Sequence, residues 1–299
     1  MIGFQNFCVE ILERVKELLP PSYQEGECSL QKIQKLNDSY TGLIARKKDQ
    51  PISPAIKLDL YYQDYQTGKD IHEIAETICD TIINLSYPAS LSKQTDRVLS
   101  YESIKSKLFV RLSNLKYNQE LLERIPHRDY YDLSLSYHIS LKEINGQQAS
   151  ILINREMMEH WGIDDERLNQ DALENSAKLM PCEIRPIQEV LEQHHVPIDC
   201  FVDHNKPLYV VRSKGWGSSA GLFYPGTMER LAEIAEGDYY ILPSSIHEVL
   251  MLPAGELDDT EKLKEMVKEI NQDAVNESER LSNNVYYYNA EKHKFSIIE

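Results

Sequence analysis

The residues with most to say about chemistry lie in segment 239–252, YYILPSSIHEVLML, where two apolar runs flank Pro243, Ser244 and Ser245 and the second run holds His247 and Glu248. Read as a hairpin, the second run alternates its side chains between two sheet faces. Ser245, His247 and Val249 then share one face, and Ile246, Glu248 and Leu250 the other. On that reading His247 and Glu248 do not ligate one metal or act as an adjacent acid-base pair. One or the other is set among apolar neighbours, where an ionisable group either finds a partner or has its pKa displaced. The functional expectation is a site side chain, His247 or Glu248, beside a turn whose Ser244 and Ser245 contribute to binding. The plainer expectation is an edge hairpin with a hydrogen-bonded histidine. Position 251 is methionine, so the HExxH metal pattern fails. Neither serine sits in a GxSxG elbow, which removes the usual sequence signal of a serine hydrolase.

Three further groups carry chemistry-bearing residues. Strand-like segment 132–141 presents Ser134, Ser136, His138 and Ser140 on one side, either a binding groove or an ordinary solvated face, with His138 as a catalytic candidate. Segment 194–204 gathers His194, His195, Asp199, Cys200, Asp203 and His204, a composition suited to zinc or iron but without regular ligand spacing, so no metal or other cofactor is expected. Gly215, Gly217 and Gly221 superficially imitate a dinucleotide fingerprint. That motif needs a helix starting inside the glycine loop, whereas 220–224 reads as a strand, so the glycines make a turn with Trp216 at its tip, either a partner contact or a side chain packed on a neighbouring loop.

These side chains must be positioned by an ordinary folded protein. With 299 residues, 41% of them hydrophobic, the chain has material for one large or two modest domains. Its 48 acidic against 32 basic residues give a net charge of -16, which repels phosphate backbones and argues against nucleic acid as a partner. The five cysteines are scattered and form no CxxC, as expected of reduced thiols in a cytoplasm. No segment has the apolar length of a membrane span.

The periodicities predict an α+β fold of repeated hairpin-plus-helix units, with antiparallel sheets and helices packed on one face. Helical spacing covers 4–19 and ends at Pro20-Pro21. Strands are expected at 40–46 and 55–62, where Ile56, Leu58, Leu60 and Tyr62 alternate with Lys57, Asp59 and Tyr61, followed by a helix from Ile71. Beyond these come a strand at 108–112, a hairpin of 132–141 and 149–153 around Asn145-Gly146, helices at 155–161 and 164–178, strands at 208–212 and 220–224, a helix at 227–235, and a helix at 258–280 after the 239–252 hairpin. The expected division is 1–125 and 126–299, or else one continuous domain, with the candidate seams near 85–97 and 178–186.

The segments SPAIKLDLYYQDYQTG (53–68), RLSNLKYNQELLERIPHRDYYDLSLSY (111–137), ILPSSIHEVLMLP (241–253) and RLSNNVYYYN (280–289) together resemble an uncharacterised bacterial family classed as a domain of unknown function, found in Gram-positive anaerobes and often near mobile elements. ILPSSIHEV is the most specific part of the resemblance. It implies a single module of bacterial or phage-like origin and carries no catalytic residue with it. The reading is therefore a cytoplasmic, non-enzymatic module that binds a protein partner or itself. The competing reading is a hydrolase using His247 and Glu248 with another polar strand face, such as that of His138, with or without a metal held by the 194–204 segment.

Overall fold

The computed structural model describes residues 2–48, 55–84, 100–141, 150–193, 207–215, 218–243, 245–255 and 259–298. It divides into two units, 1–99 and 100–299.

The first unit begins with α1 (Phe4–Leu18), whose buried residues Phe7, Cys8, Ile11 and Val15 recur at helical spacing on one stripe. Strands β1 (Glu27–Lys35), β2 (Asp38–Arg46) and β3 (Ala55–Lys57) form an antiparallel sheet in that order. Helices α2 (Leu58–Gln66) and α3 (Ile71–Asn84) complete the unit. Leu43, Leu58, Ile74 and Ile78 close a core with the α1 stripe. The strand expected at 55–62 is thus cut short after Lys57. Leu58, Tyr61, Tyr62 and Tyr65 also satisfy helical spacing, and the helix wins because it lays Tyr62 and Tyr65 against Phe7, with ring centroids 5.2 and 5.3 Å away. Strand β1 carries too few apolar residues to have been recognised.

The second unit holds two antiparallel sheets. In the smaller, β6 (Leu133–Ser140) lies between β4 (Leu108–Asn114) on one side and β5 (His127–Tyr130) and β7 (Ser150–Leu152) on the other. The pairing of β4 with β6 joins segments on the two sides of residue 125 within this unit. Short helices α4 (Tyr101–Ile104) and α5 (Gln119–Leu122) flank β4 in sequence, and α6 (Arg155–Trp161) and α7 (Asp165–Leu179) follow β7. Asn154 and Asp164 cap α6 and α7 through their side chains. Helix α7 sits along the outer edge of β4, where Ser176 Oγ accepts from the Val110 amide at 3.0 Å and Asn175 donates to the Leu108 carbonyl at 2.7 Å.

The larger sheet has the order β13-β12-β10-β11-β9-β8. Its strands are β8 (Cys182–Pro186), β9 (Tyr209–Ser213), β10 (Tyr239–Leu242), β11 (Val249–Pro253), β12 (Tyr286–Asn289) and β13 (Lys294–Ile297). Helices α8 (Ile187–Gln193), α9 (Thr227–Ala235) and α10 (Thr260–Asp273) are interleaved with them. The helix expected to run on to residue 280 ends at Asp273, and a 3₁₀ turn at Glu277–Glu279 replaces its last part. Asn114 Nδ2 donating to the Leu281 carbonyl and Ser282 Oγ donating to Asp132 join the two sheets.

Segment 220–224 is 3₁₀ helix (Ser219–Phe223), not strand. Gly221 explains it: a β-carbon there would stand 3.1 Å from the Ser213 amide nitrogen and 3.2 Å from the Arg212 carbonyl carbon, so the turn packs directly on β9 backbone. Gly221→Ala is expected to cost about 1–3 kcal/mol, since backbone must yield. Urea unfolding of the variant measures it, and a loss below about 0.5 kcal/mol would mean that the turn shifts freely.

Candidate functional site

Segment 245–248 lies between β10 and β11 rather than inside a strand, because β11 starts only at Val249. The two-face argument for His247 and Glu248 therefore fails, and the physical reason is competition for backbone groups. The Ile246 amide donates to the Glu279 carbonyl at 2.9 Å, and the Ile246 carbonyl accepts both the amide and the hydroxyl of Ser219, each at 3.0 Å. Ser245 bridges to Arg280, its amide donates to the Glu248 carbonyl at 3.1 Å, and its buried hydroxyl accepts from the His247 amide at 3.1 Å. Those bonds pull the loop away from ladder geometry and fasten it to two segments distant in sequence.

Side chains radiate from this clasp. His247 Nε2 lies 3.4 Å from Glu279 Oε1, with the histidine side chain 50% exposed. Glu279 also accepts from Asn276 Nδ2 at 3.2 Å. Glu248 stands 3.8 Å from Arg212, which with Lys214 shares Glu183 at 3.7 Å. These pairs are long and partly wet, each worth about 0–1 kcal/mol, so they orient charges more than they stabilise the fold. Ser245 belongs to the cluster, whereas Ser244 and Trp216 fall outside the described residues. The clasp partners Ser219, Arg212, Glu279 and Arg280 escape sequence reading, for no short-range pattern connects residues about 30 positions away.

His138 is placed elsewhere. Along β4 and β6, Phe109 faces His138, Arg111 faces Ser136 and Ser113 faces Ser134, so these six share one side of the smaller sheet. That side is buried rather than solvated: Ser113, Ser134 and Ser136 are fully buried and His138 is 5% exposed. Ser136 Oγ meets His138 Nε2 at 3.1 Å, and Phe109 stacks on the ring with centroids 5.2 Å apart. Among the described residues His138 Nδ1 and Ser134 Oγ find no hydrogen-bond partner. Burial, then the Arg111 cation, holds the His138 pKa well below the ordinary histidine value. His138 is therefore a neutral interior imidazole with polar contacts separate from those of His247.

The metal candidates His194, His195, Asp199 and His204 lie outside the described residues, and among the described residues no three His, Cys, Asp or Glu side chains are grouped to hold a metal. Cys8, Cys28, Cys79 and Cys182 are free thiols. Burial pushes Cys8, Cys79 and Cys182 up to about 11, so they are protonated and poor nucleophiles near neutral pH. No described helix is long and apolar enough to cross a membrane.

The fold and this clasp define an α+β protein of antiparallel sheets with a surface loop pinned at three points. The chain belongs to a family of unknown function, DUF5688, whose family model matches residues 4–290. No curated protein and no solved structure matches it.

Proposed function

We propose that the protein is a non-enzymatic binding module of the bacterial cytoplasm, of mobile-element origin, which takes a protein partner on the surface around 212–219 and 245–248. The observation that carries this reading is the clasp itself: backbone bonds from Ser219 and to Glu279 hold the 245–248 loop in one conformation while His247 remains half exposed. A surface fixed before binding loses less conformational freedom on association, which favours recognition. In the sequence Trp216 stands between β9 and Ser219. Aromatic side chains of this kind dominate interface energetics. Alanine at both Trp216 and His247 is expected to weaken capture of the natural partner at least about tenfold, with the unfolding midpoint unchanged. Equal capture by the variant and the parent protein would remove the surface from consideration.

The hydrolase alternative retains one supporting feature, the His247–Glu279 pair, in which a carboxylate could orient an imidazole base. It requires turnover of ester or phosphodiester substrates that His247→Ala abolishes. Turnover that survives this change, or none in the parent protein, leaves the binding reading in place.

A further inference from the structure

We propose that the buried polar face of the smaller sheet is a binding site for a small hydroxylated anion, a sugar phosphate or sugar acid. Its charged group meets Arg111 and His138, and its hydroxyls lie along Ser136 towards Ser134. Two atoms carry the inference. Among the described residues His138 Nδ1 and Ser134 Oγ have no hydrogen-bond partner, although their residues are only 5% and 0% exposed. A buried polar atom left unpaired is costly, so native folds retain few, and those few commonly mark a place where a bound group supplies the bond.

Strand register gives the face a polarity. The Arg111 guanidinium lies over the Phe109 ring, with Cζ 5.6 Å from the centroid, and Phe109 stands opposite His138. The cation is therefore at the His138 end, where its charge acts on the imidazole. At the other end Asp129 of β5 stands opposite Ser134, with its half-exposed carboxylate 3.7 Å from His127 Nε2. An anionic group is thus favoured beside Arg111 and repelled beside Asp129, whereas a hydroxyl can donate to that carboxylate. Ser134 and His138 are four residues apart on β6, about 13 Å along the strand. A lone inorganic anion cannot reach both, but a molecule of sugar size can.

Each group has the hydrogen-bonding capacity the role needs. The neutral His138 ring offers one donor and one acceptor. An anionic oxygen takes the proton on Nδ1, which leaves Nε2 to accept from the Ser136 hydroxyl 3.1 Å away. A guanidinium carries five donors, so Arg111 serves a ligand alongside its other contacts. Serine hydroxyls both donate and accept, which suits the hydroxyls of a sugar. Ser134 and Ser136 are closed off from solvent, so a bound anion is desolvated and each of these bonds is strengthened. Entry then requires the face to open, which makes association slow.

Calorimetric titration of the full-length protein with glucose-6-phosphate and with gluconate is expected to show saturable binding of one or both below about 1 mM. Binding of the first alone assigns a phosphate head, and of the second alone a carboxylate. Neutral glucose should not bind, and inorganic phosphate should bind at least about tenfold more weakly than the tighter probe. His138→Phe should weaken that probe at least about tenfold. Ser134→Ala removes a hydroxyl without a partner, so the fold should keep its stability while the tighter probe loses about fivefold or more and inorganic phosphate is unaffected. Nitrogen NMR of the complex should show His138 with its proton on Nδ1. Failure of both organic anions to bind, equal binding of glucose, or a folded Ser134→Ala protein that binds the tighter probe as the parent does overturns the inference. If His138→Phe does not fold, Ser134→Ala decides. This outcome is independent of partner capture by the 245–248 loop.

Discussion

Tyr286→Ala should cost about 3–5 kcal/mol, whereas Tyr286→Phe should cost about 1–3 kcal/mol. Tyr286 is fully buried on β12, its ring stacks on Phe295 with centroids 5.1 Å apart, and its hydroxyl donates to Asp132. Alanine removes the ring and leaves Asp132 with one donor fewer, while phenylalanine removes only that donor. Asp132 retains Ser282, whose hydroxyl donates at 2.6 Å, so the carboxylate is not stripped in either variant. Burial, reinforced by the Asp132 charge, raises the Tyr286 phenol pKa far from neutrality and keeps it a donor. Urea unfolding followed by tyrosine fluorescence and by circular dichroism separates the two costs. Equal losses would show that the hydrogen bond between the sheets, and not the packed ring, carries the joint.

The second large effect is a loss of stability in mild acid that originates at His138. The folded pKa of this histidine is depressed by burial and by Arg111, whereas in the unfolded chain it returns to about 6.5. Between those values the unfolded state binds the proton and the folded state does not, so acid favours unfolding. The stability conferred by the neutral ring is fully present above about pH 6.5 and is lost as pH falls towards the folded value, at up to about 1.4 kcal/mol per pH unit. The loss grows as pH falls below about 6.5 and levels off once the folded value is passed. His138→Phe keeps a ring against Phe109 and removes the titration, so its unfolding free energy should fall less steeply between pH 6.5 and 5. A slope identical in the parent and His138→Phe proteins would assign the acid sensitivity to other groups.

Local pattern made much of the fold legible. Phe7, Ile11 and Val15 announce α1 because a helix brings every third or fourth residue to one face, and Pro20-Pro21 ends it. Helices α6 and α9 and strand β6 likewise follow from periodicity. The misread segments are those where two periods coexist or where backbone contacts decide. At 58–66 the aromatic residues satisfy strand alternation and helical spacing alike, and packing on Phe7 selects the helix. At Ser219–Phe223, close approach of Gly221 to β9 selects a 3₁₀ turn over extended chain.

The candidate site divides in the same way. The sequence by itself determined that 239–253 forms a hairpin, that polar residues interrupt it, and that the chain is acidic, because these depend on neighbouring residue types alone. Only the tertiary structure decided that Ser245 to Glu248 leave the strand, that His247 meets Glu279, and that His138 lies in an interior polar face. Each of those outcomes turns on which distant segment satisfies a backbone or side-chain hydrogen bond. A buried polar group must be paired or costs about 1–3 kcal/mol, and its partner is chosen by chain topology rather than by sequence proximity.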